Sequence, residues 1–128
     1  MQRLAEQVVT AHAQLMEPAG SGGSGWRKFE LKLTLQPGWH VNANPASLPE
    51  LIPTRVEGDV RALAYPQGES LRLAFAEDRL SVYTGTVVIR GEVKEGARNA
   101  RLTYQPCDDR RCLSPVTRTV PIVQVEGP

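Results

Sequence analysis

The segment from residue 26 to residue 35 constrains the fold of this chain more than any other. From Lys28 onward, apolar and polar residues alternate almost without a break. Successive side chains of a β-strand point to opposite faces, so this period of two predicts a half-buried strand. The residues that the alternation places on the core face are Phe29, Leu31, Leu33 and Leu35.

Weaker alternating runs make β-structure the expected main component of the fold. They cover residues 8–16, 70–75, 81–93, 100–105 and 117–125, with shorter candidates at 39–42 and 51–56. Ten prolines and eleven glycines are spread along the chain, and both residue types disfavour long helices. Residues 3–12 could form a short helix, but the β-branched Val8, Val9 and Thr10 favour a strand there. Many short antiparallel strands predict a two-sheet sandwich of about seven to nine strands.

The length of 128 residues fits one domain with a core of its own. We assign residues 8–125 to this domain and expect residues 1–7 to be disordered or added by cloning. Residues 20–25 consist of glycine and serine alone, a composition that predicts a flexible loop inside the domain.

The charge distribution narrows the class of partner. Fifteen lysines and arginines against fourteen aspartates and glutamates leave a net charge of +1, and the basic residues are scattered. A nucleic-acid-binding surface needs clustered positive charge, so we expect a protein or small-molecule partner and no nucleic acid. No apolar stretch reaches the roughly 20 residues of a membrane span, and the first residues lack the apolar core of a signal peptide. Taken alone, these two absences favour the cytoplasm.

The two cysteines, Cys107 and Cys112, are the strongest candidates for chemistry. Four residues separate them, and one reversing turn can bring their Cα atoms within the roughly 7 Å that a disulfide requires. The separating residues are Asp108, Asp109, Arg110 and Arg111. A guanidinium beside a thiolate lowers the pKa of a thiol and a carboxylate raises it, so the sequence leaves the net effect open. A redox-active pair and a structural disulfide that contributes about 2 kcal/mol are both compatible with this run.

Other kinds of site have weaker support in the sequence. His12 and His40 would bring the number of possible zinc ligands to four, but their spacing from the cysteines is not that of a zinc site, so we predict no metal. The Gly-x-Ser-x-Gly motif of serine hydrolases and a phosphate-binding glycine loop are both absent, and we predict no cofactor. Residues 77–79 are interpreted as a charged turn between two strands.

Four segments of the chain resemble the N-terminal periplasmic domain of the thiol:disulfide interchange protein DsbD and its relatives. They are residues 37–45, 51–54, 76–85 and 102–115, in that family's order and spacing. The most specific feature is the Gln-x-Cys-x-Asp-x-x-Cys-Leu-x-Pro run that begins at Gln105, and a Gly-Trp-His-x-Asn element that begins at Gly38 supports it. The resemblance extends over residues 8–125, nearly the whole chain.

This resemblance implies a fold, an activity and a location. The fold is an all-β, immunoglobulin-like antiparallel β-sandwich. The activity is thiol–disulfide exchange, as a component of a protein-disulfide reductase, and the location is the periplasm or another compartment outside the cytoplasm. The partner is a thioredoxin-fold protein or domain that donates electrons. We expect a monomer that can be tethered to a membrane domain in a longer protein.

The resemblance also assigns the residues of the site. Cys107 and Cys112 are the redox pair, with Cys112 attacked by the donor and Cys107 resolving the mixed disulfide. The loop 75–83 corresponds to the family's cap over the sulfurs, and its predicted site residues are Phe75, Glu77, Asp78, Leu80 and Tyr83. The expected neighbours of the pair are Asp108, Asp109, Arg110, Arg111, His40 and Asn42. Well-known members of the family carry aromatic residues at the positions of His40 and Asn42.

A second interpretation belongs to a different functional class. The chain could be a non-catalytic, immunoglobulin-like interaction module whose disulfide is structural. The reduction potential separates the two, because structural disulfides usually lie below about −300 mV and exchange sites lie above this value.

Overall fold

The computed structural model describes residues 2–17, 23–73 and 78–124. These residues form one short helix and eleven strands. The elements are α1 (Gln2–Val8), β1 (Val9–Leu15), β2 (Trp26–Leu35), β3 (His40–Asn42), β4 (Arg55–Glu57), β5 (Val60–Ala64), β6 (Glu69–Leu71), β7 (Leu80–Tyr83), β8 (Thr86–Lys94), β9 (Asn99–Tyr104), β10 (Pro106–Cys107) and β11 (Val116–Val123).

The strands build two sheets. The large sheet has seven strands in the order β4-β9-β11-β1-β2-β8-β5, and the small sheet has four in the order β10-β3-β7-β6. Neighbouring strands run antiparallel except β1 and β11, which run parallel with Ala13 opposite Ile122. The predicted two-sheet, all-β sandwich is thus confirmed, with one parallel pair that the sequence did not indicate.

The described residues contain more strands than the seven to nine predicted. The run 81–93 looks continuous in the sequence but contains most of two separate strands, β7 and β8, which belong to different sheets. The chain crosses between the sheets at Gly85, which has a φ of 64°, a conformation that is accessible to glycine at little cost. Two short strands, β5 and β10, lie outside every predicted run.

The strand β2 lies at the centre of the core, as its alternation predicted. Its four apolar side chains at positions 29, 31, 33 and 35 are all buried. Leu31 pairs with Ala13 of β1 on one side and with Ile89 of β8 on the other. Burying a large apolar side chain of this kind stabilises the fold by about 1.5–3 kcal/mol, so β2 anchors the large sheet.

The N-terminal segment differs from the expectation of a disordered stretch over residues 1–7. Residues from Gln2 onward form α1, and the chain changes to the strand β1 only at Val9. Ala5 and Val8 are buried in the core, and Leu4 packs against it. These three residues share one helical face. The hydroxyl of Tyr104 donates a hydrogen bond of 3.1 Å to the carbonyl oxygen of Ala5, which fixes the helix to the sandwich.

The small sheet is apolar on both faces, and this arrangement positions the cysteines. Val41 of β3 and Tyr83 of β7 pair with each other and pack in the main core. On the opposite, outer face Leu80 and Val82 form a second buried cluster with Leu73. The side chains of Leu48, Leu51 and Leu71 pack against this second cluster.

Candidate functional site

Cys107 and Cys112 form a disulfide, as the spacing predicted, with an S–S distance of 2.03 Å and a Cα–Cα distance of 4.0 Å. Cys107 is the last residue of β10, which forms an edge of the small sheet. Cys112 faces it across a reversing turn as an isolated antiparallel bridge. The disulfide therefore closes a short hairpin at the sheet edge.

The turn between the cysteines is held by hydrogen bonds of its own. The carboxylate of Asp108 accepts hydrogen bonds of 2.8 Å from the backbone N–H groups of Arg110 and Arg111. These two bonds, and the nearby Arg111 guanidinium, lower the pKa of Asp108. Beyond the disulfide, the N–H of Leu113 donates to the carbonyl of Pro106 at 2.8 Å. The turn is thus defined by contacts that do not depend on the S–S bond.

The two sulfur-bearing residues differ in exposure. Cys107 is 1% exposed, whereas Cys112 is an exposed residue. Disulfide exchange requires that an incoming thiolate reach one sulfur along the line of the S–S bond. Cys112 is therefore the more accessible of the two cysteines, and Cys107 is covered by the fold.

His40, which the resemblance assigned as a neighbour of the pair, lies on β3. It pairs directly with Cys107 across β3 and β10. Since the neighbouring Val41 faces the main core, His40 faces the outer side of the small sheet, together with Cys107. Burial lowers the pKa of His40, while the carboxylates of Asp108 and Asp109 act in the opposite direction.

Asn42 lies on the same face, two residues further along β3. Its side-chain amide donates a hydrogen bond of 2.9 Å to the carbonyl of Ile52. Its own carbonyl accepts a bond of 2.7 Å from the Thr54 hydroxyl. Asn42 therefore holds the segment 51–54, one of the four segments of the resemblance, against the small sheet.

The residues of the predicted cap loop lie in several places. Phe75 and Glu77 fall outside the described residues, and Asp78 is exposed. Leu80 is buried in the second cluster on the outer face. Tyr83 differs from the prediction because it lies on the core face, where its hydroxyl donates to the Pro66 carbonyl at 2.8 Å.

The predicted loop range of 75–83 was therefore too long. Residues 80–83 are the strand β7, which pairs with β3 and β6. The alternation of faces along β7 separates Leu80, on the disulfide side, from Tyr83, on the core side.

An open groove of about 590 Å³ adjoins the disulfide turn. His40 and Asp109 form its edge on the side of the turn, and Trp39, Leu71 and Arg72 line it further away. Sequence reasoning did not include Leu71 or Arg72, because β6 is far from the cysteines in sequence. The pairing of β6 with β7 brings them there, and no local motif marks them.

The alternative of a zinc site receives no support from the arrangement of its candidate ligands. His12 is exposed on β1 of the large sheet, whereas His40 and the cysteines belong to the small sheet. Within residues 2–17, 23–73 and 78–124 no group of three or more His, Cys, Asp or Glu side chains could hold a metal ion. The helix in these ranges is too short and too polar to cross a membrane.

Comparison with known proteins identifies the family. The sequence model of one protein family, the N-terminal domain of the thiol:disulfide interchange protein DsbD, matches residues 9–124. The chain belongs to this family. None of the curated proteins compared with it matches.

Two solved structures share the fold of this DsbD N-terminal family member. One is the N-terminal domain of Neisseria meningitidis DsbD in the reduced form, with 15% identity, a TM-score of 0.59, and coverage of 95% of this chain and 89% of that one. The other is the N-terminal periplasmic domain of ScsB from Proteus mirabilis, with 17% identity, a TM-score of 0.56, and coverage of 88% of this chain and 44% of that one. The immunoglobulin-like sandwich that the resemblance implied is therefore confirmed, and membership of the family supports a role in thiol–disulfide exchange.

Proposed function

We propose that this domain passes electrons through the Cys107–Cys112 pair, from a thioredoxin-fold donor to disulfide-containing proteins outside the cytoplasm. The observation that carries the proposal is the asymmetry of the disulfide. One cysteine is exposed on the hairpin that the disulfide closes, and the other is buried at a sheet edge, in a chain of the DsbD N-terminal family.

The exposure of Cys112 supports it as the sulfur attacked first. The donor thiolate forms a bond with the Cys112 sulfur, the S–S bond breaks, and Cys107 leaves with the electron pair as a thiolate that takes up a proton. The second donor thiol then attacks the donor sulfur of the mixed disulfide and releases Cys112. Two electrons have moved to this domain, and the same steps in reverse deliver them to an acceptor.

We propose that the accessibility of Cys112 controls the rate of thiol–disulfide exchange more than the acidity of its thiol does. The described residues place no helix N-terminus beside the pair, because α1 packs against the large sheet. Arg111 is engaged with the Asp108 carboxylate, with 3.7 Å between Nε and Oδ2. The cap that the resemblance assigned to residues 75–83 remains a proposal for the part that precedes β7, of which residues 75–77 lie outside the described residues.

The proposed setting is the periplasm or an equivalent compartment. Disulfides persist in such oxidising compartments, and the cytosol keeps most thiols reduced. We propose that the domain acts as a monomer and that it can be joined to a membrane domain in a longer protein.

The reduction potential tests the exchange function directly. The wild-type domain is equilibrated with glutathione or thioredoxin buffers, and the dithiol fraction is measured by alkylation and mass spectrometry. We expect a potential above about −300 mV, the usual upper limit for structural disulfides. A lower potential would support the structural interpretation of the disulfide.

The order of attack is tested with two matched single-cysteine variants. Cys107→Ser and Cys112→Ser are each activated with a thionitrobenzoate group and mixed with a thioredoxin that keeps only its exposed cysteine. Cys107→Ser should form the mixed disulfide readily, and Cys112→Ser should react at least tenfold more slowly or fail to be activated. Equal rates, or a faster reaction at Cys107, would contradict the assigned order.

A further inference from the structure

The reaction in which Cys107 resolves a mixed disulfide requires a group that accepts its proton. A thiol that is 1% exposed is a poor source of thiolate on its own, because burial disfavours the charged form. The attacking species in disulfide exchange is the thiolate. A base that lies beside Cys107 inside the fold would remove this obstacle.

The register of the small sheet places one imidazole at that position. His40 lies directly opposite Cys107, and residues so paired have Cβ atoms about 5 Å apart on the same face. His40 is itself only 3% exposed, so little of its imidazole surface is in contact with bulk water. The pairing is set by backbone hydrogen bonds and does not depend on the S–S bond.

Among the residues that the structure describes, the charged groups around His40 come from the disulfide turn and from the region of β6. The carboxylates of Asp108 and Asp109, on the disulfide turn, act on its imidazole and would stabilise an imidazolium. Arg72, beyond β6, and Glu69, on β6, share the neighbouring groove with it. The carboxylate of Asp108 is already occupied by two backbone N–H groups of its own turn.

We propose that His40 is the general base and acid for Cys107: it accepts the proton of the Cys107 thiol when the mixed disulfide is resolved, and returns it when the disulfide is reduced. This inference rests on the proposed exchange function. It assigns a proton-transfer role to the residue that pairs with Cys107 in the register of the small sheet.

The step balances as follows. The imidazole of His40 takes the thiol proton and becomes an imidazolium, and the Cys107 thiolate attacks the Cys112 sulfur of the mixed disulfide. The Cys107–Cys112 bond forms, the bond between Cys112 and the partner breaks, and the partner sulfur leaves with the electron pair as a thiolate. The imidazolium then loses its proton to solvent. Because burial lowers the pKa of His40, its imidazole is mostly in the neutral, proton-accepting form at neutral pH.

A small aromatic disulfide isolates this step without a protein partner. The reduced domain is mixed with 5,5′-dithiobis(2-nitrobenzoate) in a stopped-flow instrument. Attack by Cys112 releases one thionitrobenzoate, and resolution by Cys107 releases a second. The two phases therefore report on the two cysteines separately.

The variant is His40→Gln, which keeps a polar side chain but cannot act as a base near neutral pH. The matched control is His12→Gln, at the exposed histidine on β1. General base catalysis contributes roughly 10²–10⁴-fold, so the second phase of His40→Gln at pH 7 should be at least tenfold slower. The first phase should change less than twofold, and His12→Gln should match the parent in both phases. An unchanged second phase in folded His40→Gln would overturn the proposal.

The parent protein supplies a second test that does not depend on how well the variant folds. The rate of its second phase should rise with pH and level off above the imidazole pKa of His40 measured by NMR in the same protein. A rate that rises in proportion to hydroxide up to pH 8, with no inflection at that pKa, would equally refute the role. Failure of the domain to exchange with thioredoxin would overturn the proposed function while leaving both of these readouts intact.

Discussion

The unequal burial of the two cysteines predicts that their replacements have unequal costs. The disulfide joins residues that are five apart in sequence, and closing so short a loop stabilises the fold by about 2 kcal/mol in the chain-entropy treatment. Cys112 is exposed, so Cys112→Ala should lower the free energy of unfolding by this amount alone. Cys107 is buried, and Cys107→Ala should cost roughly 1 kcal/mol more, because it also removes a buried group of about the size of a methylene.

Urea denaturation followed by circular dichroism measures these differences, with the wild-type protein in reductant as the reference. The free energies of unfolding of reduced wild type and Cys112→Ala should agree within about 0.5 kcal/mol, and that of Cys107→Ala should be lower than both. All three should remain folded, because the hydrogen bonds of the turn do not involve the sulfurs. If Cys112→Ala were the less stable variant, or if reduction unfolded the domain, the reasoning from burial would be wrong.

Three further predictions follow from other parts of the molecule. Burial lowers the pKa of His40 from 6.5, so the unfolded chain binds the His40 proton more tightly than the folded protein does. The free energy of unfolding should therefore fall as pH drops below 6.5. Urea denaturation at pH 5–7 should show this fall in the parent and in His12→Gln but not in His40→Gln. Tyr104→Phe removes the hydrogen bond to Ala5 and the one that the hydroxyl accepts from the Arg118 guanidinium, so it should lower the free energy of unfolding by about 1–3 kcal/mol in urea denaturation, and an unchanged stability would mean that these bonds contribute nothing. Deleting residues from the segment 76–79 should speed reduction by dithiothreitol with little change in potential, and an unchanged rate would argue against a cap.

The sequence predicted the elements whose side-chain period is regular over many residues. The alternation in β2 identified both the strand and the face that is buried, because ten residues leave little doubt about the period. The helix α1 was missed because its seven residues run straight into the β-branched start of β1. Its single buried turn, with Ala5 and Val8 facing the core, is too short to give a clear helical period.

The sequence located the site but not its internal geometry. The spacing of the cysteines predicted the disulfide, and the family motif placed His40 near it. Which cysteine is exposed depends on the pairing of β10 with β3, a contact between segments more than sixty residues apart that no local pattern encodes. The wrong placement of Tyr83 has the same cause. A shift of one residue along β7 changes the face that a side chain occupies, and that register depends on the pairing of β7 with β3.

The direction of β11 places the disulfide hairpin and the C-terminal end of the described chain at opposite ends of the sandwich. Val116 lies opposite Tyr104, three residues before Cys107, so β11 starts at the disulfide end of the sandwich. Its eight residues then carry the chain roughly 23 Å away to Val123. If the domain is joined to a membrane domain after β11, as proposed, the junction lies at the end of the sandwich opposite the disulfide. The length of that junction would then set how large a volume the sulfurs can search for a partner.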